Sequence, residues 1–105
     1  MRLCRGRRVR NGDEVMYQRK TVVRNGTGLH LRPASEFVAL AGKSESDITI
    51  RRAGSETAVD AKSIVMLLHL AISKDTEVEI AAQGEDEVRT VDGLIDLIES
   101  GFGDM

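Results

Sequence analysis

The chain has 105 residues, of which 41% are hydrophobic and 30% charged. That balance belongs to a soluble globular protein rather than a disordered one, and the length is that of one domain with one core, too small for a deep cavity between two lobes. A formal net charge of −2 and an aromatic content of 3% argue against nucleic acid as a partner, since neither a basic footprint nor a supply of stacking side chains is present.

No apolar run approaches the length needed to cross a bilayer; the longest, 64–68, is interrupted by His69 and resumes over 70–72. The basic start is not followed by an apolar segment of the kind a secretory signal requires. The single cysteine, Cys4, can form neither an internal disulfide nor a cluster of metal ligands. These features lead to the expectation of a cytoplasmic protein with no membrane insertion, no metal and no organic cofactor.

Residues 1–16 read differently from the remainder. Arg5-Gly6-Arg7-Arg8-Val9-Arg10-Asn11-Gly12 is basic, glycine-containing and without periodicity, which predicts a disordered N-terminal extension. A basic arm can hold a phosphate backbone. The alternative is an artefact of an upstream start codon, with Met16 as the natural first residue. Residues 17–105 then form the folded domain.

Within it, Thr21, Val22 and Val23 predict a first strand over 18–24, ended by the turn Asn25-Gly26-Thr27-Gly28. A helix is expected over 31–41, with Pro33 in its first turn, where a missing N–H does no harm, and Phe37, Val38 and Ala41 on one face. Alternation through Ile48 and Ile50 predicts a half-buried strand over 47–52. The connection Ala53-Gly54-Ser55-Glu56 leads to a short returning strand over 57–60. Ser63 is placed as the cap of a second helix reaching about Ile72. Val78 and Ile80 alternate in a strand over 76–82. A last helix over 85–100 carries Val88, Val91, Ile95 and Ile98 as one apolar stripe, with acidic residues in its first turn; Gly93 weakens its middle. The order β-α-β-β-α-β-α, with strands polar on one face, predicts an α+β fold: an antiparallel sheet with helices packed on one side.

The chemistry concentrates in Gly26-Thr27-Gly28-Leu29-His30-Leu31-Arg32-Pro33-Ala34. His30 lies where a glycine-rich turn meets a helix, at or beside the N-cap. Backbone N–H groups of Leu31 and Arg32 at a helix start have no intrahelical acceptor and make an anion site, aided by the dipole. Arg32 adds a cation able to hold two phosphoryl oxygens at once. Neutral imidazole is a competent nucleophile that titrates near physiological pH. A histidine serving only as a polar cap, and an arginine serving only as a solvated cation, are the plain alternatives.

The segment Gly28-Leu29-His30-Leu31-Arg32-Pro33-Ala34 resembles the active-site signature of HPr, the histidine-containing phosphocarrier of the bacterial phosphoenolpyruvate-dependent phosphotransferase system, and is similar to its nitrogen-related paralogue NPr. Ala61-Lys62-Ser63-Ile64 and Ala82-Gln83-Gly84-Glu85-Asp86-Glu87 resemble two further segments of that family. The resemblance begins at about Gln18 and runs to the C-terminus. It implies an open-faced β-sandwich of four antiparallel strands with three helices on one face. It also implies phosphorylation of His30 by Enzyme I, stabilisation of the phosphoryl group by Arg32, and onward transfer to enzyme IIA domains. The protein would be a covalent intermediate rather than an autonomous enzyme, and a monomer. Leu31 departs from the small or polar residue often found at its position, which bears on partner preference rather than on the backbone N–H.

In many Gram-positive relatives the serine matching Ser63 is phosphorylated by an ATP-dependent kinase. The resemblance thus implies a serine kinase and phosphatase as further partners; an N-cap alone equally explains a serine here. Ile64, Val65 and Leu68 resemble the family's exposed docking patch, Leu67 and Leu70 its buried positions, and Met66 fits either. His69 is read as an ordinary, partly exposed helix residue, and Glu85-Asp86-Glu87 as surface charge that complements the helix dipole. Two other functions stay open. One is an NPr-like regulatory branch, to which 65–68 and Ser100-Gly101-Phe102 are similar, whereas Lys62 looks more HPr-like. The other is a non-catalytic interaction module controlling transcription, whose members replace the histidine.

Overall fold

The computed structural model describes residues 7–11, 14–23, 31–70, 72–73 and 75–100. Its elements are β1 (Arg7–Asn11), β2 (Glu14–Val22), α1 (Leu31–Ala41), β3 (Asp47–Arg52), β4 (Val59–Asp60), α2 (Ile64–His69), β5 (Glu77–Gln83) and α3 (Glu87–Glu99). The five strands form one antiparallel sheet in the order β1-β2-β5-β3-β4. From β2 onward this is the expected α+β arrangement of four antiparallel strands and three helices, with β5 inserted between β2 and β3.

Alternation decides which face of the sheet is covered. In β3, Ile48 and Ile50 are buried while Asp47 and Thr49 are exposed. The register sets Ile50 opposite Ile80 and Thr21 opposite Val78, so these side chains share a face. Val91, Leu94, Ile95 and Ile98 of α3 join them with Phe37 and Leu67 in one core. The stripe read from the sequence is present, with Leu94 added and Val88 only partly buried against it. The polar residues of β2 on the same face are tied to α3. Tyr17 donates to Asp92 (3.1 Å), Arg19 pairs with the same carboxylate (3.0 Å), and Thr21 donates to Glu99 (3.1 Å). On the open face the Glu79 carboxylate, although deeply buried, is satisfied by Arg51 and by Gln18 at 3.0 Å, as a buried charge must be.

The expectation of disorder over 1–16 is corrected for 7–11 and 14–16. Arg7–Asn11 is an edge strand, with Val9 opposite Met16 and Arg8 opposite Tyr17. Backbone pairing to β2 satisfies this segment whatever its charge, and basic residues are well tolerated on a sheet edge. The Asn11-Gly12 pair is itself a hairpin signal, which the compositional reading overrode.

Other differences are at element ends. β4 is two residues rather than four, and the Thr57 amide instead donates to Ser55 Oγ (3.1 Å). α2 ends at His69, short of Ile72. The Leu70 amide turns back on the last turn, and its carbonyl accepts from Arg52 (3.1 Å) while Leu70 and Ile72 enter the core. α3 begins at Glu87 rather than Glu85, and runs unbroken through Gly93.

The late start of α3 has a specific cause. Asp86, at the N-cap, makes no side-chain bond to its own helix. Its carboxylate reaches across to the exit of α1, accepting from Ser46 Oγ, Ser44 Oγ (2.8 Å) and the Glu45 amide (3.3 Å). Thr90 donates to Ser44 (2.9 Å), and Lys62 donates to the Ser44 carbonyl (2.9 Å). This clamp joins the α1 exit to α3 and to the residue before the α2 cap. Gly84 lies against it: a Cβ there would stand 2.7 Å from Ser46 Cα and 2.9 Å from Ser46 Cβ. Gly84→Ala is therefore expected to destabilise the fold by about 1–3 kcal/mol, read as a lowered denaturant midpoint at unchanged slope. The hydroxyls of Ser46 and Ser44, outweighing partial desolvation, hold the Asp86 carboxyl at about 2, below its ordinary 3.8. A depressed folded-state pKa stabilises the fold above the unfolded value, and that stability is lost as the pH falls through the folded one. Between about pH 4 and pH 2 the wild type should lose more stability than Asp86→Asn, measured by denaturant titration across that window.

Candidate functional site

The site is read from the start of α1. The helix begins at Leu31, the residue that follows His30 in the chain. His30 itself, with the glycine-rich run 26–28, lies outside the described residues, as does the side chain of Leu31. Pro33 and Ala34 are buried, so the first turn is seated on the core. Leu31 and Arg32 occupy the first two helical positions, where an N–H has no acceptor within the helix. Pro33 at the third position removes one further donor that would otherwise need a partner.

The charge distribution of this helix is unusual. Its first turn contains no carboxylate and its last turn no base. Helix dipoles favour the opposite arrangement, with acids at the N-terminus. Here the first turn instead carries the guanidinium of Arg32, whose side chain is 82% exposed. A helix start whose first amides have no acceptor within the helix, with a cation and no carboxylate in its first turn, favours an anion. Glu36, one turn further along, is the carboxylate within ion-pair range of Arg32 among the described residues (3.9 Å). The sequence reading did not single it out, although the i,i+4 spacing carries the signal.

The second group of expected site residues lies around α2, which packs against α1. Ser63 is the N-cap: its backbone is extended and its Oγ accepts from the Met66 amide (3.3 Å). Of the expected docking residues, Val65 and Leu68 are exposed, at 60% and 37%. Ile64 is half-buried and packs on the core. Leu67 and Leu70 are buried. Met66, left open by the sequence, is 42% exposed and joins Val65 and Leu68 as an exposed large hydrophobic residue. Isolated exposed apolar residues are ordinary, but three within four positions of one short helix form a patch of the kind that marks contact with another protein. His69 is exposed, with its ring Nδ1 3.3 Å from the Val65 carbonyl.

The Glu85-Asp86-Glu87 run is more than dipole-complementing surface charge. Asp86 is the centre of the clamp, and Glu87 accepts from the Gly84 amide at 3.1 Å. Among the described residues, no group of three or more His, Cys, Asp and Glu side chains converges as a metal site, and no helix is long and apolar enough to cross a membrane.

Comparison with known proteins agrees with this layout. The family model for the PTS HPr component phosphorylation site matches residues 17–100. The HPr-like protein Crh of Bacillus subtilis (strain 168) is 43% identical over 84 residues, which are 80% of this chain and 96% of Crh. The phosphocarrier protein HPr of Pseudomonas putida is 36% identical over 87 residues, covering 83% of this chain and 96% of that protein. Among solved structures, HPr from Thermoanaerobacter tengcongensis superimposes with a TM-score of 0.79 at 39% identity, covering 84% of this chain and 97% of that one. With the fold, the motif order and the relatives in agreement, the chain belongs to the HPr family of phosphocarrier proteins.

Proposed function

We propose that this protein accepts a phosphoryl group on His30 from Enzyme I and passes it to enzyme IIA domains, serving sugar uptake and its regulation. In this reading it works as a cytoplasmic monomer and as a covalent intermediate rather than an autonomous enzyme. The observation that carries the reading is the start of α1, where a guanidinium and amides without an acceptor in the helix stand with no carboxylate in the first turn. A dianion on the preceding residue would resolve that imbalance.

The roles follow from the chemistry of the groups. A neutral ring nitrogen of His30 attacks phosphorus, the bond to the donor breaks, and the donor leaves with the electron pair. Arg32 holds two phosphoryl oxygens, and the amides of Leu31 and Arg32 stabilise the charge without having to reorient. The phosphoramidate keeps the group reactive enough for the next transfer. Ile64, Val65, Met66 and Leu68 give the partner an apolar surface to dock on, with only Ile64 anchored in the core.

Ser63 supports a second, regulatory role in the same proposal. Its hydroxyl oxygen accepts from Met66, which leaves its proton free for a kinase to remove, and a phosphate at a helix start is electrostatically tolerated. The added charge would sit beside the docking patch and weaken association with Enzyme I.

Incubation with phosphoenolpyruvate and purified Enzyme I should give an acid-labile, alkali-stable adduct on the wild type and none on His30→Ala; an adduct that persists in the variant would contradict the assignment. Arg32→Ala should still be labelled, but at least about tenfold more slowly, the loss of one charge-assisted anion contact. For Ser63, ATP and a cognate serine kinase should give acid-stable phosphate that Ser63→Ala lacks. That variant should also lose about 0.5–2 kcal/mol of stability through the missing cap, which Ser63→Asp should largely restore in a thermal melt.

A further inference from the structure

We propose that Glu36 is a positioning residue for phosphoryl transfer: it holds the Arg32 guanidinium along α1 while the acceptor is empty and releases it to the incoming phosphoryl group. This inference rests on the reading of His30 as the acceptor, and it concerns a carboxylate that lies outside the signature segment.

The geometry starts with the two side chains one helical turn apart. Arg32 Nε and Glu36 Oε2 are separated by 3.9 Å, and the side chains are 82% and 42% exposed. Helical side chains lean toward the N-terminus. Arg32 therefore leads toward the end of the helix where His30 precedes it, and the Glu36 carboxylate is carried up beneath the guanidinium. The order, base first and acid four residues later, is the less favourable one for such a pair. The contact is also long and largely solvated, so it is weak.

Weakness is what the role requires. An arginine in the first turn is disfavoured by the helix dipole, and Glu36 does little more than bias where that long side chain rests. When a phosphoryl group arrives, the guanidinium faces a choice between a solvated monoanion at 3.9 Å and a dianion it can bind through two parallel hydrogen bonds. The second is the stronger partner. Glu36 thus acts as a weak brake on transfer, acting through Arg32 and not through the stability of the fold, since it lies at the exposed side of the helix.

Phosphoramidate tests this without any protein donor. A His30 ring nitrogen attacks phosphorus, the P–N bond of phosphoramidate breaks, and ammonia leaves and takes up the ring proton. In a His69→Gln background only His30 can react, and its phosphorylation rate is followed by 31P NMR. Glu36→Gln should raise that rate about two- to fivefold, the range open to an exposed ion pair. The gain should disappear in 1 M KCl, where the Debye length is about 3 Å, and should be absent in an Arg32→Ala background. Thermal unfolding should be the same for both. Equal rates for wild type and Glu36→Gln would overturn the proposal, as would an acceleration that survives Arg32→Ala or high salt. The His30 acceptor reading is judged separately: it fails if Enzyme I does not phosphorylate the wild type, whereas the phosphoramidate rates report on Glu36 whatever Enzyme I does.

Discussion

The apolar stripe of α3 laid across β2 and β5 is the contact on which the remaining arrangement depends. Val91, Leu94, Ile95 and Ile98 are fully buried there, in one core with Val78 and Ile80 of β5 and with Ile48 and Ile50 of β3. Burying side chains of this size stabilises by about 1.5–3 kcal/mol each, far more than any surface ion pair in the molecule can contribute. With one face so covered, register is no longer free: a slip of one residue would send Ile48 and Ile50 to solvent. The other face can then stay polar, and the buried carboxylate of Glu79 on it is held by Arg51 and Gln18.

Once the sheet and α3 are set, the placement of α1 and α2 is a question of polar ties as well as packing. Phe37 and Leu67 put each helix into the common core, but apolar contact alone leaves helices free to slide. The Asp86 carboxylate removes that freedom at the α1 exit by collecting Ser46, Ser44 and the Glu45 amide, while Lys62 draws the approach to α2 onto the same loop. The clamp lies at the far end of α1 from Arg32. It fixes the axis of the helix, and through the axis the direction in which the opposite end presents its amides.

At that opposite end the first turn of α1 carries no acid. Asp86 and Glu87 sit at the start of α3, whereas α1 has no acid in its first turn and an exposed Arg32 instead. Among the described residues, the start of α3 carries the chain's own acids and the first turn of α1 does not. The contrast is why α1 and not α3 is read as the place where a foreign anion is received.

Local signals made much of this legible beforehand. The bounds of α1 and β3 follow from Pro33, Gly42 and a clean two-residue alternation, all of which act within a few residues. The spacing of His30 to Arg32 is likewise visible along the chain, because a helix start is a local object. The Arg32–Glu36 pair was within reach of the same logic, being one turn apart. Tertiary structure alone decided the rest. That Asp86 would clamp residues about forty positions away, that Leu70 and Ile72 would leave α2 early to enter the core, and that Met66 would be exposed while Leu67 is buried are outcomes of how elements meet. A basic five-residue segment became β1 because β2 offered it an edge to pair with. Periodicity and capping are energies between neighbours in sequence, so the chain carries them on its own; burial and long-range hydrogen bonds are energies between neighbours in space, which exist only once the fold has brought them together.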